Sequence, residues 1–200
     1  MERDRETTRN KLMDAVERIA VRDGLEACGV NAIAQEAGVD KVLIYRYFGG
    51  VDGLLSAVVA ERAAWPVAAP LGGDWSPGSA LSSALIDQAR SIRARPLAQH
   101  AVAWEAAGHA DRDIARPISE GREAQHSALA AALRDRHAVP ARLDLEAVSA
   151  LVAAGLMMLA ARTDHRVPFF GLEVERDADW RRIEKAAATI LRALLDPSDA

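Results

Sequence analysis

The fold is decided by residues 30–55, VNAIAQEAGVDKVLIYRYFGGVDGLL. A short first helix is predicted by apolar residues that recur at helical spacing, namely Val30, Ile33, Ala34 and Ala37. Gly38 allows the left-handed backbone that ends a helix sharply, and Asp40 is a good N-cap for a second helix. Val39 and Ile44 flank that cap at the spacing of a hydrophobic staple. The pattern predicts a helix-turn-helix, whose second helix can enter the major groove of DNA.

The second predicted helix has two distinct sides when its residues are placed 100° apart. Ile44 and Phe48 point together and are expected to face the core, whereas Val42 and Arg46 point the opposite way. An exposed aliphatic side chain suits contact with thymine methyl groups, and a cation suits a phosphate or a guanine. The alternative interpretation is a surface helix in an ordinary helical bundle.

Residues 37–55 resemble the signature of the tetracycline-repressor (TetR) family of bacterial transcriptional regulators. That signature contains Ala-Gly-Val, a small polar cap, a hydrophobic residue, then Tyr-x-Tyr/His-Phe and a capped following helix. The residues that match it in order are Ala37, Gly38, Val39, Asp40, Ile44, Tyr45, Tyr47 and Phe48. The resemblance spans roughly residues 8–59. It implies an all-α protein of about nine helices, with an N-terminal three-helix DNA-binding domain and a C-terminal helical domain for ligand binding and dimerisation.

The helix geometry and the resemblance together indicate the DNA contacts. The candidate residues are Lys41, Val42, Leu43, Tyr45, Arg46 and Tyr47. The two aliphatic residues and the arginine are expected to meet base edges, and the lysine and both tyrosines to hold phosphates. The implied partner is a double-stranded, palindromic operator.

Four positions depart from the family pattern. Val42 and Leu43 stand where the family usually has Gly-Thr, and Val51 stands where a lysine commonly contacts phosphate. Gly29 replaces the threonine that usually caps the first helix of the motif. Because polar DNA contacts are lost, we expect either an atypical operator or a low non-specific affinity.

Proline and glycine divide the rest of the chain into helical pieces. A first helix is predicted over 8–22 and a connecting helix over 52–64, before the Pro- and Gly-rich segment 66–78. Ser76-Pro77 is expected to open the next helix. The later helices are predicted near 77–94, 96–107, 111–137, 143–163 and 178–195. The expected domains are 1–51 (helix-turn-helix), 52–65 (connecting helix) and 66–200 (ligand binding and dimerisation).

Composition predicts a cytoplasmic protein without metal or cofactor. Half of the 200 residues are hydrophobic, yet no apolar run reaches the roughly 18 residues of a membrane span. The charged N-terminus has no apolar signal-peptide segment. The single cysteine, Cys28, excludes an intrachain disulfide.

Net charge argues mildly against nucleic acid as a partner. The whole chain carries −4, and residues 1–62 contain nine Lys/Arg against eleven Asp/Glu. Phosphate neutralisation supplies most non-specific affinity for DNA. DNA binding therefore requires the cations to cluster locally, and the candidates are Lys41, Arg46 and the N-terminal Arg3, Arg5 and Arg9.

The last two predicted helices differ from the others. Residues 145–161, LEAVSALVAAGLMMLAA, are apolar nearly all round, so this helix is expected to be buried on every side. The final helix carries apolar residues at helical spacing, namely Trp180, Ile183, Ala187, Ile190, Leu191 and Leu194. In the resembled family these helices pair with their symmetry mates, which implies a homodimer through residues 143–163 and 178–195. A buried core helix in a monomer is the alternative.

A small-molecule effector is also implied by the resemblance. It would act by favouring one spacing of the two recognition helices over another. Small-molecule sites are usually apolar pockets with a few polar groups. The candidates to line such a pocket are His100, Trp104, His109, His126, Met157 and Met158. Each of them also suits an ordinary core or surface position.

Two other classes of function stay open. Glu123 with His126, and Glu105 with His109, have spacings found in di-metal helical bundles, but such a site requires two Glu-x-x-His motifs and two further carboxylates. No P-loop, zinc motif or nucleophile elbow is present, so no catalytic residue is predicted. A helical protein–protein adaptor is the other alternative, supported by the loss of polar side chains in and after the second helix of the motif.

Overall fold

The computed structural model of the chain describes residues 2–62, 75–107, 116–136, 139–140, 143–162 and 168–196. Within these ranges the α-helices are α1 (Glu2–Asp23), α2 (Val30–Ala37), α3 (Val42–Phe48), α4 (Val51–Arg62), α5 (Pro77–Arg93), α6 (Pro96–Ala106), α7 (Arg116–Arg136), α8 (Leu145–Ala160) and α9 (Asp177–Leu195). The described residues contain no strand beyond one isolated bridge between Phe169 and Leu172. The predicted all-α fold is confirmed.

Helix ends follow the proline and glycine signals closely, with α1 as the exception. It begins at Glu2, six residues before the predicted start, because the apolar pattern that guided the prediction begins only at Leu12. The predicted start of α7 near 111 lies outside the described residues. No single helix in the described part of the chain is long and apolar enough to span a membrane. The helices α3 and α4 meet that test only as a pair, bent by 57° at their junction.

The chain divides into two compact units. Unit 1 contains Met1–Ala64 and Arg95–Glu120, and unit 2 contains Trp65–Ala94 and Gly121–Ala200. Helix α6 therefore belongs to unit 1, although the sequence was expected to place everything after residue 66 in one domain. The functional division into 1–51, 52–65 and 66–200 stays a prediction.

Helix α1 is the element on which unit 1 is built, since α2, α4 and α6 all pack against it. Its buried side is apolar and includes Leu12, Val16 and Ile19. Cys28, in the turn before α2, is also buried, and burial raises the pKa of its thiol to about 11. The thiol is therefore protonated at neutral pH and behaves as a small apolar side chain.

Ion pairs fasten α1 to its neighbours at the rim of this core. Arg18 donates from Nε to Oε1 of Glu36 on α2 over 2.7 Å. Arg62 at the end of α4 lies 2.6 Å from an oxygen of Asp14 and 2.9 Å from one of Glu17. The hydrogen bonds from Arg18 lower the pKa of the Glu36 carboxyl. These exposed pairs each contribute little stability, but together they orient α2 and α4 on one helix.

In unit 2, α5 packs against both α8 and α9. Its predicted start is confirmed, because the Ser76 hydroxyl accepts from the Ser79 amide while the Ser79 hydroxyl accepts from the Ser76 amide. The Asp196 carboxylate at the end of α9 accepts from the Gly78 amide over 2.8 Å and from the Ser76 hydroxyl over 2.6 Å. A carboxylate therefore receives the free amides at the start of α5.

The apolar helix α8 is not buried on every side in the single chain. Leu145, Ser149 and Leu156 are buried, whereas Leu151 is 75% exposed and Met158 is 49% exposed. The reason is that α8 contacts α5 along one side, and no described element covers the opposite side. The monomer alternative, in which α8 is buried on every side within one chain, is therefore wrong, and burial by a second copy stays a prediction.

The first prediction concerns Gly78, where α5 and α9 approach closely. A Cβ atom there would lie 2.6 Å from the Arg192 Cα and 2.9 Å from the Leu191 carbonyl oxygen, both of them backbone atoms. Alanine normally stabilises a helix interior by about 1 kcal/mol relative to glycine. We expect Gly78→Ala instead to lower the free energy of unfolding, by about 1–3 kcal/mol, because the helices must separate. Urea denaturation measures this free energy of unfolding. Ser83→Ala on the exposed side of α5 is the control, and a stabilised Gly78→Ala protein would contradict the close approach.

The second prediction concerns the pH dependence of stability. Both guanidinium nitrogens of Arg90 that face Glu184 donate to its carboxylate over 2.7 Å, and these hydrogen bonds lower the pKa of Glu184. A carboxyl whose pKa is lower in the folded state stabilises the fold above its unfolded pKa of about 4.3 and loses that contribution as the pH falls through the folded pKa.

We expect Glu184→Gln to be less stable than wild type at neutral pH and to lose less stability between about pH 5 and pH 3. Thermal unfolding across that range measures both quantities. Glu123→Gln is the matched control, since Glu123 is exposed and forms no ion pair with a described residue. Equal acid sensitivity of wild type and Glu184→Gln would refute the role of the pair.

Candidate nucleic-acid interface

The turn between α2 and α3 has the backbone that the sequence predicts. Gly38 adopts φ 65° and ψ 36°, the left-handed conformation that ends α2. The N-cap position of α3 is Lys41 and not the predicted Asp40, but Asp40 accepts a hydrogen bond from the Val42 amide at its Oδ1 over 2.9 Å, which satisfies a free donor at the start of the helix. Gly49, with φ 75°, ends α3 after two turns. At the start of α2, Gly29 is the N-cap without a side-chain hydrogen bond, as its sequence implies.

Burial separates the inner and outer sides of α3 as the helical wheel predicts. Ile44 is completely buried, whereas Val42 is 61% exposed and Tyr45 is 56% exposed. Lys41 and Arg46 are exposed as well. The remaining two candidate residues, Leu43 and Tyr47, are half-buried at the flanks. The candidate DNA-binding residues thus share one short helix, with its outward side available to solvent in the single chain.

The N-terminus of α1 adds a neighbour to this surface that the resemblance did not include. The Arg5 guanidinium lies 5.7 Å from the centre of the Tyr47 ring, and the Arg46 guanidinium lies 6.0 Å from the same centre. One turn further along α1, Arg9 lies 5.4 Å from the centre of the Phe48 ring. The sequence signal was limited to positive charge near the N-terminus, because contact between residues some forty positions apart has no local pattern.

Ion pairing answers the objection from net charge. Of the arginines on α1 and α4, four are paired with carboxylates, namely Arg9, Arg18, Arg22 and Arg62. No carboxylate among the described residues forms an ion pair with Arg5, Lys41 or Arg46. Although the unit is acidic in sum, its unpaired cations therefore include those on α3 and the arginine beside it. Such a local concentration of positive charge attracts an anionic partner.

The candidate ligand residues do not lie in one unit. His100 and Trp104 are on α6 in unit 1, where Trp104 is buried. His126 on α7 and Met157 on α8 are half-buried in unit 2, and Met158 is exposed. The sixth candidate, His109, lies outside the described residues. A pocket formed by these side chains stays a prediction.

The pairs considered for a di-metal site have ordinary hydrogen-bond partners. Glu105 accepts from the Ser119 hydroxyl over 2.6 Å, and Glu123 accepts from the Ser127 hydroxyl over 3.3 Å. Across the described ranges, no group of three or more His, Cys, Asp or Glu side chains is arranged to hold a metal ion. The arrangement of these residues gives no support to the enzyme alternative.

Comparison with known protein families agrees with the geometry of α1 to α4. Residues 12–58 match the family described as bacterial regulatory proteins, tetR family. Over these residues the chain is similar to the TetR family. The match ends within α4 and covers the helix-turn-helix completely. No curated protein sequence matches the chain.

Solved structures extend the likeness of fold to nearly the whole chain. GusR of Salmonella enterica is 18% identical with a TM-score of 0.65, covering 95% of this chain and 96% of that one. A TetR-like transcriptional regulator from Rhodococcus sp. RHA1 is 20% identical with a TM-score of 0.60, covering 94% and 95%. A putative TetR-family regulator from Vibrio parahaemolyticus is 23% identical with a TM-score of 0.56, covering 91% and 97%. The chain therefore has a TetR-like fold, and the sequence match to the family is confined to residues 12–58.

Proposed function

We propose that this TetR-like protein is a homodimeric repressor that binds a palindromic operator through α3 and is released from it by a small molecule. The observation that carries the proposal is the outward side of α3, where the unpaired Arg46 and the exposed Val42 stand on a helix of TetR-family sequence, with the unpaired Lys41 directly before it. A surface of this composition matches the two features of a major groove, its phosphate rims and its base edges.

The proposed contacts divide by chemistry. Lys41, Tyr45 and Tyr47 bind phosphates, since an ammonium or a phenol donates a hydrogen bond to a phosphate oxygen. Arg46 and the exposed Val42 meet bases, through a guanine edge and a thymine methyl group. Leu43 contributes apolar contact from the flank of the helix. Because Val42 and Leu43 stand in place of the family's Gly-Thr, the proposed operator includes A·T pairs whose thymine methyl groups lie against α3.

Dimerisation is supported by exposed apolar side chains on both of the last two helices. On α8 these include Leu151 and Met158, and on α9 they include Ile190 and Leu194, which are 50% and 39% exposed. Apolar patches of this kind mark an interaction surface. A second copy would cover them and would also supply the second recognition helix that a palindromic half-site requires.

Repression and release by an effector are proposed from the likeness to the TetR family. A ligand can shift a regulator only by its differential affinity for two states, here the DNA-competent dimer and another spacing of its two α3 helices. The proposed pocket residues are His100, Trp104, His109, His126, Met157 and Met158. A helical adaptor that has lost DNA binding is the competing function, because Leu43 and Val51 stand where the family usually has a threonine and a lysine.

Selection of bound sequences from a random duplex pool tests the DNA-binding step directly. The expected result is a palindromic sequence with two half-sites about one helical turn apart. Recovery of no enriched sequence, together with no duplex binding at low salt, would overturn the regulator in favour of the adaptor. Release of the selected duplex by small apolar molecules, followed by the same assay with Trp104→Ala, tests the effector step.

The third prediction assigns Arg46. If Arg46 pairs with a guanine, Arg46→Ala weakens binding to the selected operator by about 1–3 kcal/mol and relaxes the preference at one base position of each half-site. Binding measured against a panel of single-base operator variants shows both effects. Arg181→Ala is the control, since it removes the same exposed cation from α9 in unit 2. A uniform small loss on every duplex would make Arg46 a phosphate contact instead.

The fourth prediction concerns the dimer. Leu151→Glu places a charge at the most exposed apolar position of α8, and a charge buried without a partner in an interface is strongly unfavourable. We expect the protein to become monomeric by sedimentation equilibrium and to keep its helix content. Val21→Glu, an exposed apolar position on α1, is the matched control. Dimers that survive Leu151→Glu unchanged would place the interface elsewhere.

A further inference from the structure

Two arginines of α1 make the same kind of contact with two successive aromatic residues of α3. Arg5 lies over the Tyr47 ring and Arg9, one helical turn later, lies over the Phe48 ring, at 5.7 and 5.4 Å from the ring centres. A guanidinium at this distance from an aromatic face is attracted by the ring quadrupole. The N-terminal turns of α1 are therefore held against the end of the recognition helix.

The two arginines differ in whether their positive charge is paired with a carboxylate. Arg9 forms a two-pronged ion pair with Glu61 on α4, and the hydrogen bonds from Arg9 lower the pKa of the Glu61 carboxyl. Arg5 is exposed, and no carboxylate among the described residues forms an ion pair with it. The charge of Arg9 is thus cancelled within unit 1, whereas that of Arg5 is available to another molecule.

A second unpaired guanidinium lies near the same ring. Arg46 is 6.0 Å from the centre of Tyr47, so the two guanidinium carbons of Arg5 and Arg46 are at most about 12 Å apart. Two cations around one ring repel each other weakly, and an anion near them removes that repulsion. Phosphates follow each other every 3.4 Å along the axis of one DNA strand, so a backbone phosphate can lie beside Arg5 while Arg46 meets a base edge.

We propose that Arg5 binds a phosphate of the DNA backbone and that Tyr47 positions it beside Arg46, so that α1 extends the surface of the recognition helix. The inference rests on the proposed DNA-binding function and adds a contact outside the helix-turn-helix. Arg5 does not read bases in this arrangement. It supplies affinity that is independent of sequence and sensitive to salt, which an acidic protein needs from the few cations it leaves unpaired.

The dependence of DNA affinity on salt tests the assignment. The probes are the duplex selected from the random pool and a labelled duplex of arbitrary sequence, each titrated between 50 and 200 mM salt. Each lost phosphate contact lowers the slope of log affinity against log salt by about 0.9. For a dimer, Arg5→Gln should therefore lower the slope by about 1.8. The ratio of wild-type to Arg5→Gln affinity for the duplex should then fall about twelvefold between 50 and 200 mM salt. Arg5→Lys, which keeps the charge, should restore most of the slope.

Two controls separate this contact from general effects. Arg9→Gln combined with Glu61→Gln removes the neighbouring guanidinium without changing the net charge, and should keep the wild-type slope. Lys11→Gln removes one exposed charge from α1 outside the aromatic contact, and should change the slope by much less than Arg5→Gln. Thermal unfolding of every variant reports whether the fold is intact.

The outcomes are distinct. A wild-type slope for Arg5→Gln overturns the assignment, as does an equal effect of Lys11→Gln, which would indicate only a general loss of charge. A loss confined to the selected duplex also overturns it, because Arg5 would then read bases. Failure of the wild-type protein to bind either duplex at low salt defeats the proposed function itself, and this inference with it. A lower slope on both duplexes, restored by Arg5→Lys, supports it.

Discussion

The candidate site depends on the burial of one side of a very short helix. Helix α3 has seven residues, far fewer than an isolated helix requires to be stable in water. It is held by Ile44, which is completely buried. Gly38 ends the preceding helix, α2, in a left-handed conformation, and Gly49 ends α3 itself in the same way. Because its inner side is committed to the core, Val42 and Arg46 must face outward. The stability of the core and the direction of the proposed DNA-binding surface therefore depend on the same burial.

The same constraint explains how an acidic unit can present a cationic surface. Most arginines of α1 and α4 are used inside unit 1, where they join helices through Glu36, Glu61 and Asp14. These ion pairs neutralise the positive charge of the arginines that join one helix to another. The cation of α3, Arg46, has no such partner among the described residues, so its positive charge is not neutralised by an ion pair within the unit. Distribution, and not total charge, decides which partner this surface attracts.

Unit 2 shows the complementary situation, in which apolar surface exceeds what one chain covers. Helix α5 approaches α9 at Gly78, whose amide donates a hydrogen bond to the Asp196 carboxylate. Helix α8 also packs on α5. One side of α8 and part of α9 then remain apolar and open. In the proposed dimer, a second copy would both cover the apolar surface and duplicate α3.

The sequence by itself determined the elements whose signals are local. Gly38, Asp40 and Ile44 lie within seven consecutive positions, so the helix-turn-helix and its outward side could be predicted, and prolines marked the later helices. Only the tertiary structure decided the start of α1, the open side of α8 and the different states of Arg5 and Arg9. These depend on partners far away in the chain, such as Glu61, which lies 52 residues from Arg9. A pattern of neighbouring residues carries no information about such partners, because folding alone brings them together.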